Sequence, residues 1–198
     1  MNIEKYVMGE VATNTYILSI GDDAIIIDPA SRSEKVIEIL DNKNLLAVLL
    51  THGHFDHIKA VDGLYDKYHM PVYLHKDDDA LARDKNSGLL FGIVSYLSCP
   101  TIHIEEGEKE IGPFKFKTIY TPGHTPGSVI YVFDDFIITG DTLFKGSVGR
   151  TDLPGGDARI LKDSLRIFKQ FDKDYLIYAG HEEDSRLSDE LKYNYFLR

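Results

Sequence analysis

The sequence has one cysteine, no tryptophan and no long apolar run. Because Cys99 is the only cysteine among 198 residues, an intramolecular disulfide is excluded. A single thiol fits a reducing compartment, and the apolar neighbours of Cys99 predict a buried structural role. No stretch approaches the roughly 20 apolar residues of a membrane span, and the N-terminus lacks the features of a signal peptide. We therefore expect a cytoplasmic protein that does not enter membranes.

Basic residues are also scarce. The chain has 22 Lys and Arg against 32 Asp and Glu, which gives a formal net charge of −10 without histidine. A nucleic-acid-binding protein normally carries a basic patch or stripe, and the sequence shows none. We therefore expect a small-molecule substrate rather than a nucleic acid, and the oligomeric state stays open. The longest acidic cluster, at 76–79, is interpreted as a solvated helix start.

Apolar segments recur along the whole chain between turn residues, without repeats or low-complexity tracts. The continuously apolar segment 45–50 (LLAVLL) is typical of a strand covered on both faces. Further strands are predicted at 14–20, 24–28, 72–75, 114–120, 128–133, 136–140 and 175–180. Helices are predicted at 33–42, 57–69, 158–171 and 187–197. This order predicts a layered α/β protein, with residues 1–198 forming one domain without an evident linker.

Four loops place His or Asp directly after the C-terminal end of a predicted strand. They are THGHFDH (51–57), TPGHT (121–125), GDT (140–142) and GHEED (180–184). In layered α/β proteins, ligands bind at this edge because exposed loops there are held by rigid strands. The polar residues of these loops are therefore candidate ligands of a bound group.

The first of these loops holds more donors than one metal needs. His52 and His54 are two residues apart, so in an extended segment they project to the same side, while Asp56 and His57 come at a turn. A tetrahedral metal takes about four ligands, so the complete set suffices for two metals that share a carboxylate. The candidates are His52, His54, Asp56, His57, His124, Asp141 and His181. The other histidines, His69, His75 and His103, are interpreted as structural or surface residues.

The segments THGHFDH, TPGHTPGS, GDTLF and the late GH pair resemble, in this order, the metallo-β-lactamase superfamily of metal-dependent hydrolases. The loop FKGSVGRTDLPGGD (144–157) resembles the glyoxalase II-like branch. The resemblance covers most of the chain. It implies an αββα sandwich, with the active site at one edge of two packed sheets.

Carried over residue by residue, the resemblance implies a first metal bound by His52, His54 and His124. It implies a second metal bound by Asp56, His57 and His181, with Asp141 bridging both; Asp56 and Asp141 are the candidate catalytic residues. Asp28 matches a recurring acidic position and is assigned only to the support of a ligand. Arg150 is the candidate for binding an anionic substrate group. Its alternative role is a salt bridge to Asp152 or Asp157 that shapes the loop.

Nitrogen and oxygen ligands without thiolate suit Zn, Fe or Mn, and we expect two divalent ions per chain, with Zn first. Two such ions can bind one water and lower its pKa toward about 7, which supplies hydroxide for attack on a carbonyl. A thioester suits this chemistry because its leaving thiol has a pKa of about 8.5. The predicted activity is hydrolysis of S-lactoylglutathione or a related hydroxyacyl thioester. Only residues 182–198 follow His181, so the resemblance is to the short, single-domain branch, without the added C-terminal region that holds glutathione.

Three alternatives stay open. A persulfide dioxygenase would bind a single iron through two histidines and an aspartate drawn from the same residues, including His52, His124 and Asp141. β-Lactam hydrolysis is disfavoured because Asp141 occupies the bridging position instead of a cysteine. The last alternative is a non-catalytic metal-binding module.

Overall fold

Two six-stranded mixed sheets form the centre of the structure, a computed structural model that describes residues 1–41 and 43–198. In the first sheet β1, β2 and β3 are antiparallel, whereas β3 to β6 run parallel. In spatial order its strands are β1 (Asn2–Met8), β2 (Thr13–Ile20), β3 (Asp23–Ile27), β4 (Asn44–Leu49), β5 (Val72–Leu74) and β6 (Ile102–His103). The second sheet has the order β12-β11-β10-β9-β8-β7, in which only β10 and β11 pair in parallel. Its strands are β7 (Gly107–Ile111), β8 (Phe114–Tyr120), β9 (Val129–Val132), β10 (Phe136–Gly140), β11 (Leu176–Ala179) and β12 (Ser185–Arg186).

Helices cover the outer face of each sheet. The helices are α1 (Ser33–Leu40), α2 (Val61–Tyr68), α3 (Asp79–Ala82), α4 (Ala158–Ser164) and α5 (Leu187–Tyr193). Short 3₁₀ segments occupy Lys76–Asp78, Leu89–Phe91, Leu165–Gln170 and Tyr195–Leu197. Apolar residues of α1 and α2 pack on the first sheet, and those of α4 and α5 pack on the second. The four layers confirm the predicted αββα sandwich. Across the described ranges, no helix is long and apolar enough to cross a membrane.

Alternating side chains separate the layers. In β3, Ile25 and Ile27 face the core between the sheets, whereas Ala24 and Ile26 face the layer of α1 and α2. In β4, Ala47 and Leu49 face the core between the sheets and Val48 faces the helices, as expected when successive residues of a strand point to opposite faces. The alternation shifts by one residue at Leu46, where the pairing with β3 changes register. Because both faces of β4 are buried, the loop that follows it has a rigid base.

The sequence did not predict four strands, and each reason is local. β6 and β12 have two residues each, and β7, at the edge of the second sheet, has three consecutive charged residues between Gly107 and Ile111. β1 is the edge strand of the first sheet, and its burial is only partial. Weak apolar patterns of this kind are common at sheet edges, where one side of the strand remains in water.

Three predicted helices differ from the observed ones at an end. The helix predicted at 57–69 was wrong in its first turn: α2 begins at Val61, because His57 is hydrogen-bonded to Asp28 and Ala60 to the Pro29 carbonyl. The helices predicted at 158–171 and 187–197 are followed beyond α4 and α5 only by 3₁₀ segments. Asn42, the predicted end of the first helix, lies outside the described residues.

Candidate metal centre

The seven predicted ligands lie together at the end of the sheets where β4, β8, β10 and β11 terminate. Three overlapping groups have donor atoms within 4.8 Å of one another: His52, His54 and His124; His52, His57 and Asp141; Asp56, His57 and His181. The histidines that were interpreted as structural are outside these groups; the ring of His75, for example, stacks on Tyr120 at 4.4 Å between centroids. The topology therefore brings the predicted set to one place.

The first group, His52, His54 and His124, is called the trihistidine group below. Its members are at most 5% exposed. The Nε2 atom of His124 lies 2.9 Å from Nδ1 of His54 and 3.3 Å from Nε2 of His52. Burial, assisted by neighbouring histidines, holds the pKa of His52 well below its usual value and lowers the pKa of His54 to about 3. Both rings are therefore neutral at neutral pH and have lone pairs available for a cation.

Hydrogen bonds at the far side of the rings determine which nitrogens face the centre. Nδ1 of His124 lies 2.7 Å from the Arg150 carbonyl, which can only accept a proton, so Nδ1 is the donor. Nδ1 of His52 lies 3.0 Å from the Thr51 hydroxyl, whose own proton goes to Asp28, so this nitrogen also donates. With the proton on Nδ1, the Nε2 atoms of His52 and His124, which lie 3.3 Å apart, are the nitrogens available to a cation.

The second group, Asp56, His57 and His181, is called the mixed group. Oδ2 of Asp56 lies 3.3 Å from Nε2 of His57 and 3.4 Å from Nε2 of His181. Burial opposes protonation of His57, but the carboxylates of Asp56, Asp28 and Asp141 outweigh it and raise its pKa to about 10. The pKa of His181 is also raised, because its hydrogen bond to Asp56 and the charge of Asp141 outweigh burial. The mixed group therefore combines negative charge with histidines whose protonated forms the carboxylates favour, so that a cation must displace a proton there.

Asp141 lies between the two groups. Its Oδ2 is 3.3 Å from Nε2 of His124 and 3.6 Å from Nε2 of His181, and its Oδ1 is 3.5 Å from Nε2 of His57. Nε2 of His57 and Oδ1 of Asp141 are buried and lack hydrogen-bond partners within the described residues. An unpaired buried polar atom costs roughly 1–3 kcal/mol, so such atoms indicate an ion or water. The donors present thus fit a metal centre.

Asp28 supports both groups from behind. It directly follows β3, is buried, and adopts a φ of 52°. Its Oδ1 accepts from the Thr51 amide at 2.8 Å, and its Oδ2 accepts from the Thr51 hydroxyl at 2.6 Å and from Nδ1 of His57 at 2.9 Å. One carboxylate thereby orients His57 directly and His52 through Thr51, which is a supporting arrangement common around metal ligands.

Two supporting residues were not predicted from the sequence. The interpretation of 76–79 as solvated was wrong for Asp78, because this residue is fully buried. Burial raises the pKa of its carboxyl group. Hydrogen bonds to Thr125, Gly53 and Gly127 oppose this rise. Nothing in three consecutive aspartates indicates which of them points inward.

Thr13, at the start of β2, donates to Oδ2 of Asp56 at 2.7 Å. The sequence could have indicated this role, since the strand begins with the polar residues TNT (13–15), all three of which are buried.

A cavity of about 330 Å³ opens beside the donor groups. The walls include Phe55, Phe91 and Phe144, and the ring of Phe91 packs against that of Phe55 at 5.2 Å between centroids. Phe91 begins the segment 91–97 (FGIVSYL), for which the sequence favours core packing, with the site entrance or a dimer contact as alternatives. Arg150 also lines this cavity, and its guanidinium pairs with Asp152 through contacts of 2.6 and 2.8 Å. Polar donors at the base and apolar walls are typical of a small-molecule site.

Residues 8–181 match the family model of the Metallo-beta-lactamase superfamily. The chain belongs to this superfamily. A Bacillus subtilis protein named "Probable metallo-hydrolase YqgX" is 38% identical over 207 residues, which cover 100% of this chain and 98% of the relative. The hydroxyacylglutathione hydrolase GloC of Haemophilus influenzae is 31% identical, over 88% of this chain and 87% of GloC. The predicted enzyme class is confirmed: the chain is a metal-dependent hydrolase of this superfamily.

Solved structures agree with the fold. The B3 metallo-beta-lactamase BLEG-1 superposes with a TM-score of 0.92 at 36% identity and covers 99% of both chains. TTHA1623, solved in a di-iron-bound form, gives a TM-score of 0.90 at 33% identity over 98% of this chain and 100% of that one. The candidate donor groups of this chain are consistent with a dinuclear centre like the one named for TTHA1623.

Proposed function

We propose that the enzyme hydrolyses a hydroxyacyl thioester of an anionic thiol, such as S-lactoylglutathione, with two divalent metal ions. The observation that carries this proposal is the convergence of the trihistidine and mixed groups on Asp141 beside the cavity. Similarity to GloC, named a hydroxyacylglutathione hydrolase, supports the substrate class. The donor set contains no thiolate and suits Zn, Fe or Mn; we expect Zn first, and the di-iron form of TTHA1623 makes iron the main alternative.

In this proposal the trihistidine group would hold one ion and the mixed group the other, with Asp141 as a ligand available to both. When bound, such ions would lower the pKa of a bound water and polarise the carbonyl of the substrate. Asp141 contacts both groups and fixes their relative position. Asp56 lies in the cavity wall, held by Thr13, and we assign its carboxylate the role of accepting the proton of the attacking water.

The leaving group needs little assistance. A thiol with a pKa of about 8.5 departs as a thiolate near neutral pH without a strong general acid. The cavity walls formed by Phe55, Phe91 and Phe144 accordingly exclude water from the reacting atoms instead of supplying protons. This division of roles suits a thioester better than an amide, whose leaving group requires protonation.

Cations near the mouth of the cavity support an anionic thiol. A second cavity of about 500 Å³ shares Val148 and Arg150 with the first, and its lining includes Lys162, Arg198 and Phe196. In a protein with a net charge of −10, three cations around one cavity favour a negatively charged part of the substrate. We therefore assign Arg150 to substrate binding, with its observed partner Asp152 exchanged for a substrate carboxylate.

The test is release of free thiol from S-lactoylglutathione by the metal-loaded protein. We expect activity in the unmodified chain and its loss in His54→Ala. As a matched control, His103→Ala removes an exposed histidine at an edge of the first sheet and should leave the rate unchanged. Absence of thiol release by the fully loaded protein, or full activity of His54→Ala, would contradict the proposal.

Two other activities each have one supporting observation. Similarity to BLEG-1 at 36% identity favours β-lactam hydrolysis. The sequence argues against this activity, because Asp141 occupies the bridging position instead of a cysteine. Hydrolysis of nitrocefin by the metal-loaded protein tests it. The group His52, His57 and Asp141 has the two-histidine, one-carboxylate composition of a single-iron site. A persulfide dioxygenase would consume oxygen with glutathione persulfide, whereas thioester hydrolysis consumes none.

A further inference from the structure

Asp78 lies directly behind the trihistidine group, although it contacts none of the histidine rings. Its Oδ2 accepts from the Gly53 amide at 2.8 Å and from the Thr125 hydroxyl at 2.7 Å. Its Oδ1 accepts from the Gly127 amide at 2.6 Å. All three bonds are buried, and three donors on one carboxylate form a strong charge-assisted set.

These donors belong to two segments that come from different sheets. Gly53 lies between His52 and His54 in the loop after β4 of the first sheet. Thr125 and Gly127 follow His124 in the loop after β8 of the second sheet. The carboxylate thus connects the two segments that together form the trihistidine group.

The packing around Asp78 leaves little freedom for either segment to shift. A Cβ atom on Gly53 would lie 2.8 Å from the Asp78 carbonyl oxygen, and one on Gly127 would lie 2.7 Å from Asp78 Cβ. Both segments therefore approach Asp78 at distances that only glycine permits. The mixed group is built differently, because its support comes from Thr13 and Asp28.

We propose that Asp78 is a positioning residue that fixes the distance between the His52–His54 segment and His124, and thereby sets the metal affinity of the trihistidine group alone. The inference rests on the proposed metal centre but not on the identity of the substrate. Supporting residues of this kind typically change metal affinity by about 10–100-fold.

The experiment measures Zn²⁺ affinity, by competition with a chromophoric chelator, in two single-site backgrounds. His181→Ala leaves the trihistidine group as the complete site, and His54→Ala leaves the mixed group. We expect Asp78→Asn to weaken Zn²⁺ binding about 10–100-fold in the His181→Ala background and less than about twofold in the His54→Ala background. Asp79→Asn is the matched control, since the neighbouring Asp79 bonds to Arg83 and Thr101 instead, and it should change neither affinity.

An equal loss in both backgrounds would show general loosening and overturn the inference, as would no loss in either. If Asp78→Asn does not fold, as judged by circular dichroism, Thr125→Val removes one donor and keeps the carboxylate. It should weaken only the trihistidine site, by about fivefold for roughly 1 kcal/mol. Failure of both backgrounds to bind Zn²⁺ would overturn the metal centre and the inference together. Zn²⁺ binding without thioester cleavage would refute only the proposed substrate.

Discussion

The trihistidine group and the mixed group share one loop but differ in charge and exposure. His52 and His54 serve the first group, whereas Asp56 and His57, from the same loop, serve the second. The first group contains only imidazoles and is buried. The second contains a carboxylate, and its His181 is 22% exposed at the cavity. A single loop therefore contributes to two unlike donor groups, and we expect these groups to bind cations with different dependence on pH and on their supporting residues.

The pKa values express this difference. Burial keeps His54, with a pKa of about 3, free of a proton at neutral pH, whereas nearby carboxylates raise the pKa of His57 to about 10. A cation at the mixed group must therefore displace a proton, whereas a cation at the trihistidine group finds His52 and His54 without one. The carboxylates of the mixed group attract the metal cation, and they also stabilise the proton on His57 that competes with it.

The largest effect is expected from Asp28→Asn, which should weaken both groups because Asp28 supports both. Asparagine tolerates the positive φ of this position, so the substitution mainly affects the bonds to Thr51 and His57. We expect Zn²⁺ affinity to fall about 10–100-fold at each site, measured in the His181→Ala and His54→Ala backgrounds. Loss at one site only would show that Asp28 does not support both groups.

The pH should separate the two groups more clearly than any single contact. Below its raised pKa, His57 holds a proton that a metal must remove, so Zn²⁺ affinity of the mixed group should rise with pH. The expected slope is about tenfold per pH unit between roughly pH 6.5 and 8.5, measured in the His54→Ala background. The His181→Ala background should have a shallower slope, because the pKa values of His52 and His54 are lowered. Equal slopes would contradict the assigned protonation states.

A smaller effect is expected from Thr13→Val, which removes the hydroxyl that donates to Asp56. Loss of one buried hydrogen bond, worth about 1 kcal/mol, should weaken the mixed group about fivefold and leave the trihistidine group unchanged. Thr118→Val is the matched control, because the Thr118 hydroxyl is buried without a hydrogen-bond partner among the described residues. If the two variants behave alike in a Zn²⁺ titration, the contact to Asp56 has no role in the site.

The smallest effect concerns the cavity wall and not the donor groups. Phe91→Ala removes a partly exposed ring that packs on Phe55, so KM for S-lactoylglutathione should rise about threefold while the metal content stays the same. Leu90→Ala, at an exposed neighbour outside the cavity wall, should leave KM unchanged. A lower metal content in Phe91→Ala would show that the wall and the donor groups are not independent.

The donor loops could be predicted from the sequence, because histidine and aspartate seldom gather directly after apolar strands unless they bind a common partner. The layered α/β class could also be predicted from the order of strands and helices and from the continuously apolar segment 45–50, whereas the four layers were implied by the resemblance to the superfamily. The positions of Phe91 and Asp78 could not be predicted. The first lies in a segment without a regular period, and the second is one of three identical aspartates in a row.

The tertiary contacts account for the remaining differences. The helix predicted from His57 begins only at Val61, because the bond to Asp28 holds His57 in a turn. A segment with a helical pattern thus does not form a helix where one of its residues is hydrogen-bonded to a residue distant in sequence. The role of Thr13 could have been predicted, since polar residues at the start of a buried strand indicate a buried partner.

The central claim is that one chain holds two unlike metal sites, and metal content tests it most directly. The measurement is the number of ions per chain, by elemental analysis, in the unmodified protein, His54→Ala and His181→Ala, each purified without added metal. We predict two ions in the first and one in each variant. One ion in the unmodified protein that persists in His181→Ala would contradict a dinuclear centre.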